Sequence, residues 1–165
     1  MRKVYDKFNI IQTINRGGFC ITKAHDVMTA SVVAARQSTT AMEISAKLLI
    51  GDFNGLPVID VDAKVIGIVT AVDILRALKQ GRNLEGLRAA DIMTRNPVVV
   101  DQHTEINEII DIILQKSIIL VPVVDERRKL VGVVGRLDIL QHNLNEKFVT
   151  IGQTSSFAKS TGELG

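Results

Sequence analysis

Residues 26–75 align with residues 91–140 at a constant offset of 65 without a gap, and 18 of the 50 positions are identical. The identities include Asp26/Asp91, Met28/Met93, Thr29/Thr94, Val33/Val98, Pro57/Pro122, Gly67/Gly132 and Asp73/Asp138. A duplication of this length constrains the fold more than any other feature. Each copy must be one supersecondary unit, and a unit this small buries its apolar face against its neighbour.

Both copies read in the same order. A short apolar piece, Val32-Val33-Ala34 or Val98-Val99-Val100, precedes a helix that opens near Thr39 or Thr104 with Glu43 or Glu108 in its first turn. The stripe expected to be buried is Ile44, Leu48 and Leu49 in one copy. Ile106, Ile109, Ile110, Ile113 and Leu114 serve in the other. Strands at 56–61 and 119–124 then turn through 62–64 and 126–128 into second strands at 65–69 and 130–134. A last helix covers 71–80, ended by Gly81, and 136–143 in the second copy. The expected fold is therefore α+β: two β-α-β-β-α repeats, each with a three-stranded sheet, packed sheet to sheet with pseudo-twofold symmetry. The domain reading is an N-terminal segment 1–23, a first repeat 24–80, a linker 81–88, a second repeat 89–143 and a tail 144–165.

The core has to be aliphatic, since aromatic residues make up 4% of the chain and tryptophan is absent. A net charge of +2 does not by itself direct the protein to nucleic acid or to a membrane. The segment 1–23 is locally basic, with Arg2, Lys3, Lys7, Arg16 and Lys23 against Asp6. It reads as a tail or docking helix, or alternatively as an arm for nucleic acid or a protein partner. The single cysteine, Cys20, excludes an internal disulfide framework and suits a reducing compartment. No secretory h-region follows Met1, and no apolar run approaches the roughly 18 residues of a membrane span, so the cytosol is the expected location.

The chemistry-bearing stretch is also duplicated. Gly67-Ile68-Val69-Thr70-Ala71-Val72-Asp73 and Gly132-Val133-Val134-Gly135-Arg136-Leu137-Asp138 each run a buried strand straight into a helix, with an aspartate one turn in. Such a corner offers unpaired N–H groups and a carboxylate, which suits a phosphate or a sugar hydroxyl. Thr70-x-x-Asp73 is equally the pattern of a helix capping box. Gly135 cannot supply the side-chain half of that cap, yet Asp138 keeps its place. His25, His103 and His142 lack cysteine partners at metal spacing and read as surface or core histidines, and Met28 and Met93 as packing residues. No nucleophile–base pair or metal cluster assembles from the inventory, so neither an enzyme nor a metal site is expected.

The order Asp-Val-Met-Thr, Leu-Pro-Val-Ile-Asp and Gly-Ile-Val-Thr-Ala-Val-Asp-Ile-Leu resembles a cystathionine-β-synthase (CBS) domain. Asp91-Ile92-Met93-Thr94, Val121-Pro122-Val123-Val124-Asp125 and the second glycine-to-aspartate run resemble another, together a CBS pair or Bateman module. The resemblance spans about residues 24–142. It implies two clefts between the repeats that take adenosine-bearing ligands, such as AMP, ADP, ATP or S-adenosylmethionine, as regulators and not as obligatory cofactors. Asp73 and Asp138 would hold ribose hydroxyls, and Thr70 would meet a phosphate or ribose oxygen. Adenine would lie near Val33 with Leu56 and Pro57, and near Val98 with Val121 and Pro122. Gly135 and Arg136 make the second cleft different, since it loses a hydroxyl and gains a guanidinium. Gly55 and Leu120 stand where many nucleotide-binding members carry a basic residue. On this basis the Thr70/Asp73 cleft ranks first. The resemblance further implies a homodimer formed through helices, and an effector protein that reads the conformation.

Overall fold

A computed structural model describes residues 22–144. The N-terminal segment up to residue 21, expected as a tail or docking helix, with its Cys20, and the tail from residue 145 lie outside the described residues.

The first repeat contains β1 (Ala35–Arg36), α2 (Ala41–Gly51), β2 (Gly55–Ile59), β3 (Val65–Thr70) and α3 (Ala71–Lys79), after a short α1 (Ala24–Val27). The second has α4 (Ala89–Ile92), β4 (Thr94–Arg95), β5 (Val100–Asp101), α5 (Ile106–Lys116), β6 (Leu120–Val124) and β7 (Leu130–Gly135). Residues 136–144 are helical and are called α6. Both hairpins carry their irregularity at the same place, Val58/Ile59 and Val123/Val124. Even the left-handed residues correspond: Asp52 with Ser117 at the ends of α2 and α5, and Ala63 with Arg128 in the hairpin turns.

Local chemistry accounts for the helix ends. Thr40 caps α2 in a capping box with Glu43: the Thr40 N–H donates to Glu43 Oε2 at 2.8 Å, and the Glu43 N–H donates to Thr40 Oγ1 at 3.1 Å. α3 is C-capped by Gln80, and Gly81 follows at φ +70°, a left-handed position that glycine adopts without steric cost. The linker is tied down: the Ala41 and Met42 N–H groups donate to the Leu87 and Leu84 carbonyls, and Leu87 is buried in the first core.

The sheets depart from the expectation of three strands each. The first has four, in the order β1-β2-β3-β4, and its edge strand β4 comes from the segment that opens the second repeat. The second has β5-β6-β7, and Thr29, ahead of the first repeat's own strands, bridges to Val133 on β7. Thr94 pairs with Ile68 in the matching position. The two repeats thus exchange their leading segments. Ala89 and Met93 sit in the core under α2 and α3, while Ala24 and Met28 pack into the core under α5.

The exchange explains two of the duplicated motifs together. A Cβ on Gly67 would stand 2.4 Å from the Met93 sulfur, and one on Gly132 would stand 2.4 Å from the Met28 sulfur. Each Asp-x-Met-Thr segment needs a glycine on the opposite repeat's strand to lie flat against it. On the pseudo-twofold axis Lys64 pairs with Lys129, and the Leu130 N–H donates to the Ala63 carbonyl.

The leading strands begin later than the apolar runs suggest, at Ala35 and Val100 and not at Val32 and Val98. Parallel pairing with β2 and β6 selects only the residues in register, Ala35 with Val58 and Val100 with Val123. Leu49 and Leu114 were expected in the buried stripes and are instead 83% and 70% exposed. Each helix presents one narrow side to its sheet, which Ile44 and Leu48, or Ile109 and Ile113, already fill. Full burial of Ile44 or Ile109 contributes roughly 1.5–3 kcal/mol each.

Candidate functional site

Two strand-to-helix corners carry the predicted carboxylates. At the first, Thr70 is the last residue of β3 and, with extended backbone, the N-cap of α3. Its N–H donates to Asp73 Oδ2 at 2.8 Å and its hydroxyl donates to the same oxygen at 2.7 Å. The other oxygen, Oδ1, accepts from an Arg76 terminal nitrogen at 3.1 Å. Asp73 is only 8% exposed, the one buried charged residue among those described, whereas the Arg76 side chain is 70% exposed. The capping box is therefore built, and it uses Oδ2. Oδ1 is paired with Arg76.

The second corner is looser. The Gly135 N–H donates to Asp138 Oδ2 at 2.7 Å, and a Cβ at Gly135 would stand 3.2 Å from that oxygen. No hydroxyl is supplied locally. The Thr29 hydroxyl, arriving on the exchanged segment, donates instead to Asp138 Oδ1 at 3.3 Å. This is a long bond, weaker than the Thr70 pair. Arg136 does not face Asp138: its Nε donates to the Ile118 carbonyl at 3.1 Å, just ahead of β6.

The remaining candidates divide by the alternation of the strands. Leu56 and Val121 are 1% and 0% exposed and belong to the two cores, so what they can offer a ligand is backbone. Pro57 and Pro122 point the other way, are also fully buried, and lie in matched cross-strand rows, Pro57–Ile68–Thr94 and Pro122–Val133–Thr29. Val33 is 39% exposed and Val98 partly buried; each stands two residues ahead of its parallel strand. The structure thus joins Thr70 with Asp73, and Gly135 with Asp138, while the valines precede β1 and β5, which β2 and β6 separate from β3 and β7.

Three residues at the corners were not identified as candidates from the sequence. Thr29 was visible as a repeat identity, but its role depends on the exchange of segments. Arg76 stands one helical turn after Asp73, a spacing that brings side chains together. Leu120 was noted only for lacking charge. Its Cδ2 would be 3.1 Å from a Cβ on Gly55, whose Cα partner is Thr70, so a second-repeat side chain reaches the first corner.

His25 and His103 lie together on the surface, ring centroids 5.6 Å apart, and His25 pairs with Asp26 at 3.1 Å. Among the described residues no group of three or more His, Cys, Asp or Glu is arranged to hold a metal ion. No helix among them is long and apolar enough to cross a membrane.

Comparison with known proteins bears on these corners. A family model described as "CBS domain" matches twice, over residues 24–80 and 89–145. An uncharacterized protein of Methanopyrus kandleri is 31% identical over 117 residues, which are 70% of this chain and 60% of that protein. This chain thus spans less than two thirds of that relative's length. The solved CBS domain pair of protein MJ0100, in complex with 5′-methylthioadenosine and S-adenosyl-L-methionine, superposes with a TM-score of 0.70 at 29% identity. It covers 77% of this chain and 99% of that one. CBSX2 from Arabidopsis thaliana, solved in complex with AMP, gives 0.67 at 26% identity over 76% of this chain and 98% of its own.

Proposed function

Because the chain belongs to the CBS-domain family and carries two such domains in tandem, we propose that it is a non-catalytic regulatory module that binds an adenosine-bearing small molecule between its repeats. The observation that carries this reading is the duplicated corner: each repeat delivers one carboxylate to the same strand–helix junction, and solved pairs of this kind hold AMP, or methylthioadenosine and S-adenosylmethionine. A carboxylate accepts from both vicinal ribose hydroxyls at once, as charge-assisted bonds that an amide matches less well.

Signalling would follow from differential affinity. A ribose on Asp138 replaces the Thr29 hydroxyl, and Thr29 belongs to the segment that crosses from one repeat to the other. Ligand therefore exchanges a contact between repeats for one with itself, which an effector protein reads as a change in their relation. Asp138 is freer to accept hydroxyls than Asp73, whose two oxygens are both engaged by close donors.

The module pairs with a second copy through its outward helices. Val72, Leu75 and Leu78 on α3, and Leu137, Leu140 and Leu144 on α6, are all at least half exposed at spacings of one helix face. The alternative, an adaptor for nucleic acid or protein that uses the basic segment 1–23, rests mostly on residues outside those described.

Calorimetry with AMP, ADP, ATP, 5′-methylthioadenosine and S-adenosylmethionine on the wild type, Asp73→Asn and Asp138→Asn tests the reading. Each substitution is expected to weaken its own cleft by about tenfold or more. Unchanged affinity in both variants, with a lowered melting temperature, would leave the aspartates as helix caps and nothing else.

A further inference from the structure

We infer that Arg76 makes the first cleft selective for a 5′-phosphorylated adenosine; this rests on the reading that the Thr70/Asp73 corner holds the ribose. Asp73 Oδ2 is committed to the Thr70 N–H and hydroxyl at 2.8 and 2.7 Å. Oδ1 is therefore the oxygen left for a ribose hydroxyl, and Arg76 occupies it at 3.1 Å. A ligand that takes Oδ1 displaces or shares this guanidinium.

The displacement has an electrostatic sign. The Arg76 side chain is 70% exposed and Asp73 is buried, and among the described residues Arg76 is the one ion-pair partner of Asp73. An uncharged nucleoside that drives the guanidinium away separates this pair without replacing it, and a sulfonium ligand adds a second cation beside it. A 5′-phosphate does the opposite. It brings an anion to the corner, and the Arg76 side chain, like any on a helix, leans toward the N-terminal end of α3 where Thr70 and Asp73 stand. Arg76 can turn from the carboxylate to the phosphate and keep a charge-assisted partner throughout. Gly55 and Leu120, which line the corner, are uncharged.

The second cleft lacks the device. The residue matching Arg76 is Gln141, and Arg136 is held on the Ile118 carbonyl. The two clefts consequently divide the ligands by charge, phosphorylated adenosine in the first and uncharged or cationic adenosine in the second.

The test is calorimetry of AMP and of adenosine in an Asp138→Asn background, which silences the second cleft, with Arg76→Gln and Asp73→Asn added singly. Gln reproduces the residue the other repeat carries. The parent is expected to bind AMP at least about tenfold more tightly than adenosine. Arg76→Gln is expected to lose that preference through weaker AMP binding, with adenosine bound as well as before or better. If Arg76→Gln keeps the AMP-to-adenosine ratio while Asp73→Asn weakens both, the ribose site stands and Arg76 is only a helix ion pair. If Asp73→Asn alters neither affinity, or neither ligand binds the parent, the ribose reading fails and this inference with it.

Discussion

Thr70 and Asp73 serve two ends at once. The hydroxyl and the carboxylate close the first turn of α3, and the same pair forms the wall of the proposed ribose site. Removing the hydroxyl by Thr70→Ala is expected to cost about 1 kcal/mol of stability, read by urea unfolding. The converse change, Gly135→Thr, restores a cap to α6 where only a backbone N–H now meets Asp138, and is expected to stabilise by a few tenths of a kcal/mol. Glu43 gives a pH signature. Its carboxyl is held below the ordinary value of 4.5, first by the Thr40 backbone N–H and then by the Thr40 hydroxyl. A carboxyl whose pKa is depressed on folding contributes stability at neutral pH, and that contribution disappears as pH falls through the lowered value. Melting curves of wild type and Glu43→Gln should therefore differ near about pH 7 and converge near about pH 3; a gap that widens in acid would contradict the assignment.

At the scale of elements, the exchanged segments decide how the repeats are joined. Gly132→Ala forces Met28 off the strand, and Gly67→Ala does the same to Met93. Each is expected to destabilise by roughly 1–3 kcal/mol, partly restored when the facing methionine is shortened to alanine. Additive losses in the double variant would show that the pair does not pack as described. The order of helices and hairpins was legible in the sequence because periodicity and repetition are local properties. The exchange was not, although Met28, Met93, Gly67 and Gly132 all stood out as repeat identities. Nothing in a linear pattern tells whether a segment packs on its own repeat or on the other. Leu49 and Leu114 were misplaced for a related reason. A helix with apolar residues on two faces does not declare which one meets its own sheet.

Exposed apolar faces on the last helix of each repeat matter to the whole molecule. The leucines left outside on α3 and α6 fit a dimer, so Leu75→Glu with Leu140→Glu should halve the mass found by sedimentation without lowering the melting temperature. A wild-type monomer at micromolar concentration would contradict the dimer. The carboxylates themselves were readable in the sequence, and so was the difference between the corners. What was hidden is the company each keeps, Arg76 over Asp73 and Thr29 against Asp138, because both depend on side-chain reach across turns and between repeats. A crystal structure of the full chain grown with saturating AMP bears most directly on the account. It should show the ribose 2′ and 3′ oxygens within hydrogen-bond distance of the Asp73 or Asp138 carboxylate. Nucleotide density elsewhere on the surface, with both corners unchanged, would contradict it.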